Sequence, residues 1–219
     1  MEFKKIEFSH ASGIATVRLN SPGNLNAIDA AMAGELMTAF DICADDGAIK
    51  VVVVEGAGDS FSAGGDIKMM IGAVKANNMA ALISGVRNVG AVAVKIRNLR
   101  KPVIACVHGA VAGAGVNFAL ACDFRVAAEN TKFIQAFVNI GLVPDMGGTF
   151  LLTRLIGVAR TTELVMTGKP LAVNEAFNLG LVNQVVPAEQ LREAAEKLAG
   201  QLCRLPSVAL GNMKALINR

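Results

Sequence analysis

Ser60–Met70 reads SFSAGGDIKMM, and Val107–Asp123 reads VHGAVAGAGVNFALACD. Apolar β-formers lead into both: Val51-Val52-Val53-Val54 before the first, and Val103-Ile104-Ala105-Cys106 running into the second. Each stretch is a turn of small residues that opens into a helical pattern. A glycine-rich exit from a buried strand lets backbone approach a ligand closely. The first turn of the following helix leaves amide N–H groups without intrahelical partners. Two such turns that converge can hold one anionic oxygen between two backbone N–H groups, the geometry of an oxyanion hole. The repeated order of apolar strand, turn and helix predicts an α/β fold.

Working outward, residues 2–8 and 13–20 read as a hairpin with Ser12-Gly13 in its turn. Asp29 is placed to cap a helix running to about Ala44, with Ala33, Leu36, Met37 and Phe40 on one face. Strands follow at 50–55, 102–107 and 123–128, with helices within 66–99 and after Gly113. Beyond residue 140 the pattern turns helical, at 146–156, 158–167, 173–179, 188–203 and 206–217, interrupted by a short strand at Val182–Val186.

The 219 residues suffice for one large domain with a proper core. Hydrophobic residues make up 53% and charged residues 18%, which excludes global disorder. A net charge of +3, with scattered Lys and Arg and neither Trp nor Tyr, argues against nucleic acid as a partner. No uninterrupted apolar run approaches the roughly eighteen residues of a membrane span, and MEFKKIEFSH reads as a strand, not a signal peptide. The four cysteines, Cys43, Cys106, Cys122 and Cys203, form no C-x-x-C pair and suit a reducing, cytoplasmic setting. With only His10 and His108 as histidines, no metal site is expected.

Beyond the two turns, the chain carries SPGNLNAID, CDFRVA, IGLVPDMGG and a late segment from GKPLAVNEAFNLGLVNQVVP. In this order the motifs resemble the crotonase superfamily, the enoyl-CoA hydratase/isomerase family, from Ile14 to about Pro206. The resemblance implies a spiral of ββα turns over residues 1–188. Residues 189–219 would then begin a C-terminal helical region that in family members continues for several tens of residues. It also implies an acyl-CoA thioester as substrate, with coenzyme A entering as part of the substrate and no separate cofactor. Assembly as a homotrimer or hexamer is implied too; Leu191, Leu198, Leu202 and Leu205 are candidates for part of that surface.

By the same resemblance, the N–H groups of Ala63 and Ala114 would receive the thioester oxygen as it becomes an enolate. Leu25, Ala27, Gly64, Gly65, Asp66 and Ile67 would contact the CoA portion. Two plainer readings stand beside these: Gly113-Ala114-Gly115 also suits close helix–sheet packing, and Asp66 suits a helix cap. Where many members carry a basic residue or alanine before the leucine, this chain has Asn24.

The departures from the family pattern shape the functional expectation. Hydratases of the family add water with two glutamates, and those positions read Asn117 and Phe137 here. Neither side chain can act as a carboxylate base. One carboxylate appears instead at Asp145, where ordinary hydratases tend to carry glycine. Isomerases acting on 2-(1,2-epoxyphenyl)acetyl-CoA are similar in carrying PD before a small-residue turn. Asp145 is therefore the expected proton shuttle of an isomerase, although Pro144-Asp145-Met146-Gly147 is also a good helix-capping sequence. The alternatives are a hydratase with a substituted water site and a catalytically silent CoA-binding member.

Overall fold

The computed structural model describes residues 3–219. A hairpin opens the chain: β1 (Ile6–Ala11) pairs antiparallel with β2 (Ile14–Leu19) around Ser12 and Gly13, both with positive φ. Then come α1 (Ala30–Asp45), β3 (Val51–Gly56), α2 (Ile67–Lys75), α3 (Met79–Asn98), β4 (Val103–Val107), β5 (Ala110–Ala112), α4 (Ala114–Ala121), β6 (Phe124–Ala128) and β7 (Lys132–Ile134). The chain ends with α5 (Gly148–Thr167), β8 (Pro170–Ala172), α6 (Val173–Asn178), β9 (Gln184–Val186), α7 (Leu191–Cys203) and α8 (Ser207–Ile217). The pair of helices expected at 146–156 and 158–167 is α5, broken where Gly157 takes φ 77° and ψ 167°.

The large sheet has the order β1-β2-β3-β4-β6-β9 and is parallel from β2 onward. Both faces are covered, which is why its central strands read as unbroken apolar runs and do not alternate. Val52 and Val54 face the main core with α1, α3 and α4; Val51 and Val53 face a second core with Leu191, Ala195, Ala199 and Leu202 of α7.

A small sheet, β5-β7-β8, lies apart from the large one. Isolated bridges Ser62↔Val111 and Ile28↔Gly65 continue its ladder toward the start of the chain. Successive segments thus place one strand in the large sheet, a short one in the small ladder, and then a helix. This is the ββα spiral. The three-residue strands β5, β7 and β8 were not expected from the sequence, being too short to show a period of two.

One expectation changes. The segment after residue 188 is helical, and its α7 forms the second cover of the large sheet. Leu191 and Leu202 are buried there and Leu198 packs against them, so only Leu205 of the four leucines remains available to a partner subunit. Among the described residues one helix, α3, is long and apolar enough by composition to cross a membrane. Its second half, Val89, Val92, Ala93 and Ile96, is built into the main core. Cys43, Cys106 and Cys122 are buried, and burial pushes each thiol up to about 12.

Because α7 closes a core of the central sheet, Leu202→Ala should cost about 2–5 kcal/mol of global stability. Urea unfolding followed by two probes should show one shared transition at lower denaturant. An unchanged main transition with separate early melting of the last helices would contradict this packing.

Candidate active site

The first turn is held by two buried polar side chains. Asn26, fully buried with φ 53°, donates from Nδ2 to the carbonyls of Ala57 and Ser60, both at 2.8 Å, and accepts from the Ser21 N–H at 2.9 Å. Ser62 Oγ donates to the Asn26 carbonyl at 2.8 Å and accepts from the Gly64 N–H at 3.1 Å. Sequence reasoning missed both residues as site builders. Their only signal was a polar residue inside each of two otherwise apolar or small-residue motifs.

The two turns meet through their backbones. Ala112 N–H donates to the Ser62 carbonyl at 2.9 Å. Gly64 has φ +96°, and a Cβ there would stand 2.6 Å from the Ala112 carbonyl oxygen and 2.8 Å from the Ala114 nitrogen. Only glycine permits both that φ and that approach. Ala114 is the first residue of α4, which is buried along its whole length.

The amide assignments differ from expectation at one position. The Ala63 N–H donates to the Leu25 carbonyl at 2.8 Å, so it braces the turn and is not free for a ligand. The N–H groups of Gly65 and Ala114 donate to no acceptor among the described residues. Gly65 lines the cavity beside the turns, and Ile28 N–H donates to the Gly64 carbonyl at 2.6 Å, fixing the peptide that follows. The unpaired donors are therefore Gly65 and Ala114.

That cavity, of about 110 Å³, runs between α2 and α3 over the start of α1. Its walls include Met70, Leu82 and Val89, and three carboxylates reach it. Two are committed. Asp29 caps α1 at the Met32 N–H, 2.7 Å away, and pairs with Lys5 at 3.0 Å. Asp66 caps α2 at the Met69 N–H and accepts from Asn24 Nδ2, each at 3.0 Å. The third, Asp145, keeps Oδ1 buried with no hydrogen-bond partner among the described residues.

Asp145 does not cap α5. Met146 and Gly147 both take positive φ, and the helix begins only at Gly148 with Gly147 as its cap residue. Burial pushes its pKa above the ordinary carboxylate range, opposed by the Asn117 side chain and its own backbone N–H. Asn117 Nδ2 also donates to the Asp145 carbonyl at 3.1 Å, and Asn117 Oδ1 accepts from Gln135 Nε2 at 2.9 Å. The Asn117 amide is thus occupied on both sides. Phe137 is buried and would lie 3.8 Å from a Cβ at Gly113, an apolar cover on the second turn.

Of the other expected contacts, Ala27 is buried, while Leu25 and Ile67 are half exposed outside the cavity lining. His108 Nε2 lies 2.8 Å from the Gly58 carbonyl and serves a loop. A larger cavity of about 490 Å³, beside α5 and α8, lies away from both turns.

The fold agrees with what the chain resembles. Residues 9–219 match the model of the family described as enoyl-CoA hydratase/isomerase. The chain belongs to that family. It is 39% identical to a trans-2-decenoyl acyl-carrier-protein isomerase of Streptococcus mutans, over 93% of this chain and 78% of that one. It is 35% identical to a 1,2-epoxyphenylacetyl-CoA isomerase of Escherichia coli, over 94% and 79%. A crystal structure of an enoyl-CoA hydratase from Polaromonas superposes with a TM-score of 0.93 at 33% identity, covering 97% of this chain and 82% of that one.

The raised pKa of Asp145 has a stability consequence. A carboxyl whose folded-state pKa exceeds its unfolded value, about 3.9, stabilises the fold only while protonated. That contribution is complete below the unfolded value and is lost as pH rises through the folded one. Asp145→Asn should therefore melt higher than the parent at neutral pH, with the difference vanishing below about pH 3.9. A variant less stable than the parent at neutral pH would contradict the desolvation of this carboxylate.

Proposed function

We propose that this enzyme is an acyl-thioester isomerase that shifts a double bond with Asp145 as its single proton shuttle. The observation that carries this reading is the desolvated carboxylate of Asp145, whose Oδ1 has no hydrogen-bond partner among the described residues, in the cavity that Gly65 also lines. A carboxylate with a raised pKa is a stronger base when it ionises and holds a proton well enough to return it.

In the forward sense, Asp145 takes a proton from C4 of a 2-enoyl thioester. The C–H electrons move into the C3–C4 bond and the existing double bond moves toward C1, leaving a dienolate with its charge on the thioester oxygen. The N–H groups of Gly65 and Ala114 receive that charge, aided by the positive end of α4. Protonated Asp145 then returns the proton to C2, giving the 3-enoyl thioester. The reverse sequence uses the same atoms. Coenzyme A or another thioester carrier is part of the substrate, and no further cofactor is required.

The hydratase reading asks for a second carboxylate to activate water. Asn117 cannot serve, since its amide is engaged on both sides, and Phe137 presents only a ring to the second turn. As to assembly, α8 replaces α7 as the candidate contact surface of a homotrimer or hexamer. Its Val208, Met213, Leu216 and Ile217 are exposed.

Asp145→Asn should lower kcat for isomerisation by about 10²–10⁴-fold while thioester binding persists, measured by turnover and calorimetry. Retention of most of the activity would move the shuttle elsewhere. Gly64→Ala should force the turns apart and remove an oxyanion donor's contribution, about 10²–10³-fold in kcat, with a smaller change in KM. Parent-like turnover in a folded Gly64→Ala variant would show that the turns do not act together. Against crotonyl-CoA, efficient water addition by the parent enzyme would favour the hydratase reading instead.

A further inference from the structure

The cavity's roof has an outer surface that the reaction does not use. On α2, Ile67, Ile71 and Val74 recur at helical spacing; on α3, Met79 and Ile83 do the same. All five are between 44% and 55% exposed and none lines the cavity. The inner sides of the same helices are apolar as well, where Met70, Leu82 and Val89 line it. A helix pair that is apolar both inside and outside is expected to be covered on both sides. Exposed apolar stripes at the rim of a site mark a surface that meets something.

Charge says what kind of partner fits. From Ile67 to Cys122 the chain has no Asp or Glu. Lys68, Lys75 and Arg87 are exposed in the same helix pair and form no ion pair among the described residues. Arg87 follows Met79 and Ile83 on their stripe at the next helical step. Asp66, with the neutral Asn24 beside it, sits at the N-terminus of α2 and is taken up as that helix's cap, while Asp29 before α1 is paired with Lys5. Lys68, Lys75 and Arg87 thus stand as cations without an acidic partner among the described residues, along the two helices that roof the cavity.

We propose that the α2–α3 surface docks an acidic protein that carries the acyl group as a thioester on a flexible arm. The surface borders the cavity that must receive the acyl chain, so a carrier seated there delivers its thioester directly to the two turns. A two-fold contact with a second copy of this chain through this face would set Lys68, Lys75 and Arg87 against their own symmetry mates. A nucleotide carrier alone would satisfy the cations and leave the apolar stripes in water. This inference rests on the thioester-isomerase reading and names the carrier class for it.

The test compares one acyl group, trans-2-decenoyl, on three carriers: holo acyl carrier protein, coenzyme A and N-acetylcysteamine. The variant is Lys75→Glu with Arg87→Glu, two residues outside the cavity lining. The parent enzyme should bind holo acyl carrier protein in calorimetry at low salt and lose that binding as salt rises. The double variant should bind it about 10- to 100-fold more weakly, with a matching fall in kcat/KM for the protein-borne substrate. Its turnover of the N-acetylcysteamine thioester should be unchanged.

Docking is overturned if the parent does not bind the carrier protein at low salt, or if the double variant binds it as tightly as the parent. It is also overturned if phosphatidylglycerol vesicles displace the carrier from the parent. If the parent binds the carrier but leaves even the N-acetylcysteamine thioester unisomerised, docking stands and the isomerase reading fails.

Discussion

The contact on which this molecule depends is a backbone one, between Gly64 in the first turn and the start of α4 in the second. A single Cβ at Gly64 would collide with both Ala112 and Ala114. Everything around that contact serves to hold it. The large sheet sets the strands β3 and β4 side by side, so that their exits emerge together. Asn26 and Ser62, both fully buried, tie the first turn to the loop before α1. The result is two amide N–H groups without partners among the described residues, that of Gly65, which lines the cavity, and that of Ala114, packed against Gly64. Leaving buried donors unpaired costs stability, and such a cost is repaid where charge develops during a reaction.

The same logic applies to Asp145. A desolvated carboxylate with an oxygen lacking any partner among the described residues is unfavourable for folding, and the left-handed Met146 that follows it is a strained conformation for a non-glycine residue. Asp29 and Asp66 show the ordinary alternative, since both carboxylates settle onto helix N-termini and one gains a lysine. Three aspartates border one cavity, and only Asp145 keeps a buried oxygen without a partner among the described residues.

Much of this was readable in the amino-acid sequence because it rests on local pattern. The apolar runs at Val51–Val54 and Val103–Val107, the small-residue turns after them, and the cap at Asp66 each follow from residues within a few positions of one another. That Asn117 and Phe137 carry no carboxylate also follows from side-chain chemistry alone. What escaped depends on distant or unusual geometry. Which amide of Ala63-Gly64-Gly65 faces the ligand is decided by the Leu25 carbonyl, some forty positions earlier in the chain. Asp145 failed as a helix cap because Met146 is left-handed, and a methionine gives no sign of that. The leucines of α7 looked free for a subunit interface because a helical stripe does not reveal which surface it covers; here it covers the second face of the sheet.

The central claim is that one carboxylate moves a proton between two carbons while the enolate is held, and that no water is added. The most direct measurement is NMR of the product formed from a trans-2-enoyl thioester deuterated at C4. The expected product is the 3-enoyl thioester, with part of the deuterium now at C2, carried there by Asp145. A 3-hydroxyacyl thioester with all of its deuterium still at C4 would contradict the claim, because it would mean that the site activates water and never touches the C4 proton.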